Sequence, residues 1–283
     1  MIALTHELEE AKREIELLSK QIYVDRYFSV PEVTVIPLRL LGLYMYRMQF
    51  DDRVRKAVLT TTGLIQLGLD MHDRVTNNKE FVRDRITERQ MLILAGDYYS
   101  SICYNLMAKV GLTCEVRKLA KGITKNTAAK MQLYDFNSDN NFKLNDDIVD
   151  LIKIREASLY TEFLTGDLVY EEQAAWMTIF ENLIVYSFNL RQSASGKILD
   201  NTLSFFLIRA LAEIKEMTEL YAVSDSADYQ RLLFDLAKKY QVAEIINEIN
   251  QELIREAKDS AMLVDCAQTR SGLEQLVTEL EIS

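Results

Sequence analysis

The sequence predicts an all-α protein. Its 283 residues hold only 9 Gly and 2 Pro, and Pro31 and Pro37 both fall in one short segment. A many-stranded sheet needs more turns than so few breakers supply. Leu, Ile, Glu, Lys, Ala and Met, all good helix formers, dominate the remainder. Apolar residues recur at helical rather than alternating spacing. With 48% of residues hydrophobic, the chain can bury a large core.

The elements follow in order. Leu8, Ile15, Leu18 and Ile22 share one face of a first amphipathic helix that ends near Tyr27. An extended linker, SVPEVTVIP, precedes the apolar segment LRLLGLYMYRMQF. Asp51 and Asp52 suit the start of the next helix, where an acidic group meets free N–H donors and the positive end of the helix dipole. That helix runs through VRKAVLTTTGLIQLGLDMHDRV and stops in TNNK. A long helix carries ERQMLILAGDYYSSICYNLMAKV to Gly111, with Leu94, Tyr98, Ile102, Leu106 and Val110 four apart on one stripe. Ala95 and Gly96 allow another helix to approach closely.

A further helix covers about Glu115 to Tyr134, followed by the loop DFNSDNNFK. Asn145 is placed to cap DDIVDLIKIREASLYTEFL, which ends at Thr165-Gly166. Two apolar helices come next, AAWMTIFENLIVYSFNL and TLSFFLIRALAEIKEMTELYAV, and three shorter amphipathic ones fill Ser226 to Ile282. No internal repeat or low-complexity linker interrupts the chain, so the expected division is one domain, 1–283.

Composition excludes several classes. A net charge of −10 and the lack of a basic, aromatic-interleaved stripe argue against nucleic-acid binding. Cys103, Cys114 and Cys266 form no CxxC pair, and small buried hydrophobes in a reducing cytosol are the expectation. The acidic, amphipathic N-terminus is unlike a signal peptide, and no apolar run is long enough to span a bilayer, so a cytoplasmic location is expected. His6 and His72 are too few for a His-rich metal site. No Gly-rich phosphate loop or nucleophile elbow occurs. Trp176 is read as a core or interface anchor.

The stretch from Gln66 to Asp97 carries the most specific signal. QLGLDMHDRVTNN is followed by ITERQMLILAGDYYSS, which resembles the front half of a trans-prenyltransferase. In that family a helix with an HDDxxD-like run holds magnesium against an allylic diphosphate. Here the run is His72-Asp73-Arg74-Val75-Thr76-Asn77, with a single carboxylate and an added cation. An arginine opposes divalent-metal binding, and one carboxylate cannot assemble a magnesium cluster. Asp70, one turn before Arg74, is read as its ion-pair partner, and a capping His at a polar helix end is an equal reading of His72. Ile93, Leu94, Ala95, Gly96 and Asp97 match the (I/L)LxGD segment of the family at about the usual distance. A Gly-Asp pair inside a helix is otherwise costly and implies close packing and a partnered carboxylate.

The remaining family motifs are degraded. In VYSFNLRQSASG, Phe188 and Asn189 echo a Phe-Gln pair, but Arg191, Gln192 and Ser193 stand where aspartates belong. PLRLLGLYM replaces the basic diphosphate clamp, and Arg155, Glu156 and Ala157 replace a Lys-Thr-Ala triplet. A literal DDxxD, Asp146, Asp147, Ile148, Val149 and Asp150, sits behind Asn145 at a helix start, where capping and the helix dipole account for acidic residues.

Together these residues resemble component 1 of the two-component heptaprenyl or hexaprenyl diphosphate synthases, most clearly from Thr60 to Gly111 and more weakly to Gly196. The resemblance implies an isoprenoid-synthase-like bundle of about ten helices. It also implies a non-catalytic subunit that pairs with a DDxxD-bearing component 2 in a heterodimer. The assembled enzyme condenses isopentenyl diphosphate with farnesyl diphosphate to build the menaquinone side chain. No catalytic, metal or cofactor site is then expected in this chain, and Mg2+ belongs to the catalytic partner. His72, Asp73 and Asp97 are candidate vestigial diphosphate-facing residues. Leu64, Leu67, Gly68, Leu69, Leu94, Tyr98 and Ile102 are candidates for the partner interface or a tunnel for the polyprenyl product, with Gly68 leaving room in it. Two alternatives stay open: a self-sufficient class I terpene synthase or prenyltransferase using Asp146–Asp150, and a helical binding protein without a prenyl role.

Overall fold

The structure, a computed structural model, describes residues 2–20, 22–75, 83–138, 146–164, 168–199, 202–224 and 228–282. Among them lie thirteen helices and no strand, against the roughly ten helices expected. No helix of the described residues is long and apolar enough to cross a membrane. The chain gathers into two compact units, one of residues 1–122, 162–167 and 266–273, the other of 123–161, 168–265 and 274–283.

The first unit is built on α1 (Ile2–Ser19), α2 (Ile22–Asp25), α3 (Val35–Arg47), α4 (Asp52–Asp73) and α5 (Arg83–Val110). The single first helix expected up to Tyr27 is two. Ser19 Oγ donates to the Glu16 carbonyl at 3.2 Å, a local bond that competes with the helical ladder where α1 ends. The expected linker is also shorter, because α3 starts at Val35 and takes Pro37 into its first turn, where a missing N–H costs nothing. Asp51 caps α4 as expected, its Oδ1 accepting from Arg53 N at 2.9 Å. Leu41 and Tyr44 from α3, Leu59 and Leu64 from α4, and Tyr99 and Met107 from α5 form the core, with Ala11 and Ile15 of α1 fully buried beside them.

Polarity inside this unit is paired. Arg55, 6% exposed, meets both carboxylate oxygens of Glu7 at 2.7 and 2.9 Å and adds Asp52 at 2.6 Å. Its Nη1 also donates to the Phe50 carbonyl at 2.5 Å, so the guanidinium ties α1 to the start of α4. Hydrogen bonding by Glu7 is the main cause that holds the guanidinium above its ordinary pKa. Gly111, at φ 80°, ends α5 in the left-handed region that glycine adopts without strain.

The second unit holds most of α6 (Thr113–Ser138), then α7 (Asp146–Thr161), α8 (Tyr170–Ala194), α9 (Leu203–Leu211), α10 (Ile214–Ala222), α11 (Asp228–Lys239), α12 (Val242–Ala261) and the end of α13 (Ala267–Ile282). The single helix expected over 202–223 breaks at Ala212-Glu213. Glu213 starts α10 with its N–H donating to Glu216 Oε2 at 2.9 Å, a capping arrangement that restarts the helix. Phe205, Phe206, Leu220 and Leu233 fill the core with Ile148 and Ile152 of α7. Trp176 is fully buried, its ring 6.1 Å from Phe180, which places it in the core. The helices α8 and α12 run antiparallel and are joined by side-chain amides: Asn182 Nδ2 donates to Glu256 Oε2 and Asn189 Nδ2 to Asn250 Oδ1, both at 2.8 Å.

Candidate functional site

The residues singled out in the sequence converge, within the first unit, on the packed pair α4 and α5. The contact is backbone against backbone. A Cβ added to Gly68 would stand 3.0 Å from the Gly96 carbonyl oxygen, and one added to Gly96 would stand 2.9 Å from the Gly68 oxygen. The imidazole of His72 lies over Gly96, so the same Cβ would fall 1.9–2.0 Å from its Cδ2 and Nε2. The two glycines therefore let two helices touch, and the room expected at Gly68 is taken up by α5 itself. Ser100 Oγ, which donates to the Gly96 carbonyl within α5 at 3.0 Å, lies beside the contact, 3.4 Å from where a Gly68 Cβ would stand.

The carboxylates do not assemble a metal site here. His72 Nε2 stands 3.6 Å from Asp97 Oδ1, both side chains largely open to solvent. Asp73 ends α4 on the surface, and Arg74 turns its Nη1 to the Ser29 carbonyl at 2.8 Å. Asp70 accepts from Gln66 Nε2 at 2.8 Å. Thr76 and Asn77 lie outside the described residues. Among the described residues, no three His, Cys, Asp or Glu side chains come together in a way that could hold a metal. Magnesium asks for near-octahedral oxygen ligands. This donor set does not fit it.

The apolar candidates divide by burial. Leu64 and Leu67 are at most 1% exposed and belong to the core, as does Gly68, whereas Leu69 is half-buried. On α5 the fully buried stripe is Leu92, Ala95, Tyr99, Cys103 and Met107, one residue beyond the stripe read from the sequence. Burial pushes the Cys103 thiol up to about 12, and Tyr99, pushed up to about 12 mainly by burial, donates to the Ser19 carbonyl at 3.1 Å. Leu94 is 58% exposed and Tyr98 38%, while Ile102, Leu106 and Val110 are half-buried.

The outward side of α5 is unusual for a surface. From Gln90 to Ala108, nine residues are exposed and only Asp97 among them is charged. Ile93, Leu94, Tyr98 and Tyr104 are half of the rest, and the others are neutral. Such depletion of charge with enrichment of Tyr and aliphatic groups marks protein-binding surfaces. Periodicity finds the buried side of a helix, and this helix is apolar on both sides, which is why the sequence placed its stripe out of phase. Cys114 is exposed and Cys266 half-exposed, so only Cys103 is the buried cysteine expected.

In the second unit the degraded motifs bring buried Arg155 and exposed Arg191 to one aromatic ring. Arg155 Nε lies 2.6 Å from Glu156 Oε1, and its guanidinium stands 5.0 Å from the Phe188 ring. Arg191 approaches the same ring at 5.9 Å. Asn126 Nδ2 donates to the Arg155 carbonyl at 2.5 Å. The cations here are spent on an aromatic face and a neighbouring carboxylate. Of the DDxxD run, Asp150 is exposed at the start of α7; Asn145 and the side chains of Asp146 and Asp147 lie outside the described residues.

Known proteins match this chain in sequence and in fold. Residues 21–187 match the family described as heptaprenyl diphosphate synthase subunit 1. A heptaprenyl diphosphate synthase component 1 from Geobacillus stearothermophilus is 38% identical over 72 residues, 25% of this chain and 31% of the relative's length. Among solved structures, the decaprenyl diphosphate synthase of Rhodobacter capsulatus matches at TM-score 0.67 and 16% identity over 98% of this chain and 97% of its own. The heptaprenyl diphosphate synthase of Staphylococcus aureus matches at TM-score 0.64 and 13% identity over 99% and 98%. At such identities the likeness shows the fold, and it is that of the isoprenoid synthases, as the motifs implied. With more than half of its length matched by the family, this chain belongs to the heptaprenyl diphosphate synthase subunit 1 family.

Proposed function

We propose that the chain is the non-catalytic subunit of a two-component polyprenyl diphosphate synthase, pairing in the cytoplasm with a DDxxD-bearing catalytic subunit that holds Mg2+. The observation that carries this reading is the α4–α5 pair. There the isoprenoid-synthase fold brings α4 and α5 into backbone contact at Gly68 and Gly96, while among the described residues no three carboxylate, His or Cys side chains gather to hold a metal. The nearly uncharged outer side of α5 over 90–108 supports a protein partner. In the assembled enzyme the exposed Leu94 and Tyr98, with half-buried Ile102, meet the partner and help to wall the path of the growing polyprenyl chain. The subunit thereby contributes to product length in menaquinone side-chain synthesis.

Reconstitution tests the reading. The chain, a catalytic subunit, magnesium, farnesyl diphosphate and labelled isopentenyl diphosphate are combined, and products are separated by length. Heptaprenyl-length product forms only from the mixture. Long product from this chain with magnesium alone overturns the proposal in favour of a self-sufficient enzyme, and Asp150→Ala then asks whether the DDxxD run serves it. Neither product nor association with the catalytic subunit leaves a helical binding protein with no prenyl role.

A further inference from the structure

The nearly uncharged side of α5 carries its one charge near the middle. Asp97 is flanked by Ile93, Leu94, Tyr98 and Ser101, with its side chain 65% exposed. Its neighbour His72 stands 3.6 Å away, beyond a hydrogen bond, which leaves the carboxylate oxygens able to accept from another donor. The His72 ring is held over Gly96 by the close approach of the two helices.

Covering this face creates a problem for Asp97. A protein that buries Ile93, Leu94 and Tyr98 also takes water from the carboxylate between them. An ionised carboxylate removed from water without a partner costs more than a few apolar contacts return. The face closes best where the docking surface brings a donor, and most favourably a cation, to the side of the carboxylate that His72 leaves open. The chain's net charge of −10 draws a basic surface in the same direction.

We propose that Asp97 is the charge key of the α5 face, and that the docking partner places a Lys or Arg side chain against it. The inference rests on reading this chain as the partner of a catalytic prenyltransferase subunit and deepens it by specifying the chemistry of the surface that subunit presents. The pair fixes orientation along the stretch 90–108, whose other exposed groups, being apolar or neutral, fit in more than one register.

The test measures binding of the full chain to the DDxxD-bearing catalytic subunit of the same organism, for wild type, Asp97→Asn, Asp97→Lys and Leu94→Arg. Circular dichroism and urea midpoints equal to wild type keep folding out of the comparison. Asp97→Asn weakens binding by about 30-fold or more, and Asp97→Lys abolishes it. A photo-cross-linker at Leu94 locates the partner's cation, and exchanging that residue for Glu restores binding to Asp97→Lys. If both Asp97 variants bind as wild type while Leu94→Arg does not, the face is the interface and the charge key is wrong. If Leu94→Arg also binds as wild type, the face itself is wrong and the proposal falls. If wild type does not bind, the subunit reading fails and the inference fails with it.

Discussion

The α4–α5 pair and the α8–α12 pair solve the same packing problem by opposite means. The first joins two helices by removing side chains, so that Gly68 and Gly96 bring backbone to backbone. The second joins them by adding polar side chains, with Asn189 and Asn250, both buried, sharing one hydrogen bond. Their outer surfaces differ as sharply. Nine residues of α12 are exposed and six of these are charged, against one of nine over 90–108 of α5. The face of α12 is built to meet water. The face of α5 over 90–108 offers water a single charge.

Substitutions at the joints sharpen this contrast. The largest effect is expected for Gly96→Val. The new side chain would evict the His72 ring and press on the Gly68 carbonyl, and backbone cannot move aside as a side chain can. Overpacking of this kind costs about 3 kcal/mol, well beyond the few tenths that leaving Gly gains in helix propensity. The urea midpoint measures it, and an unchanged midpoint would mean that the helices are not in backbone contact. Asn189→Ala is expected to cost about 1.5 kcal/mol by leaving Asn250 without its donor. Replacing both by Leu restores most of that loss, because the penalty lies in the orphaned group rather than in a missing attraction. A double variant as weak as the single one would break the contrast, since the amides would then be packing rather than pairing.

The smallest effect concerns Glu216, near the surface of the second unit. Lys239 Nζ at 2.6 Å, Tyr240 Oη at 2.5 Å and the Glu213 N–H hold its carboxyl down at about 2. A depressed carboxyl stabilises the fold above its unfolded value of 4.5 and loses that contribution as pH falls toward 2. The stability difference between wild type and Glu216→Gln is therefore present at pH 7 and shrinks below pH 4.5, as thermal melts across that range will show. A difference constant with pH would assign the loss to packing.

What the sequence revealed depended on how local each cause is. Asp51 and Gly96 were readable, one because a cap acts two residues away and the other because a glycine inside a helix needs a neighbouring backbone to explain it. The family motifs carried the fold. The break at Ala212-Glu213 was missed, since the apolar spacing runs on through it and only the Glu213–Glu216 bond restarts the helix. The Glu7–Arg55 clamp was also missed, because 48 residues separate its partners and charges at that distance have no periodic signature. The candidate site was half readable. The residue types on α5 were visible, but which of them face outward depends on where α4 lies.

The three cysteines add a use for the α5 packing. Cys103 is buried on the face that α5 turns inward, its thiol pushed up to about 12, while Cys114 is exposed just beyond the end of α5. Thiolate is the form that reacts, so Cys114 is open to alkylation in the folded chain and Cys103 only when its helix lifts away. Pulsed alkylation of the unmodified protein thus times the opening of α5. A partner that covers the helix will slow the reaction at Cys103 by whatever stability its binding adds.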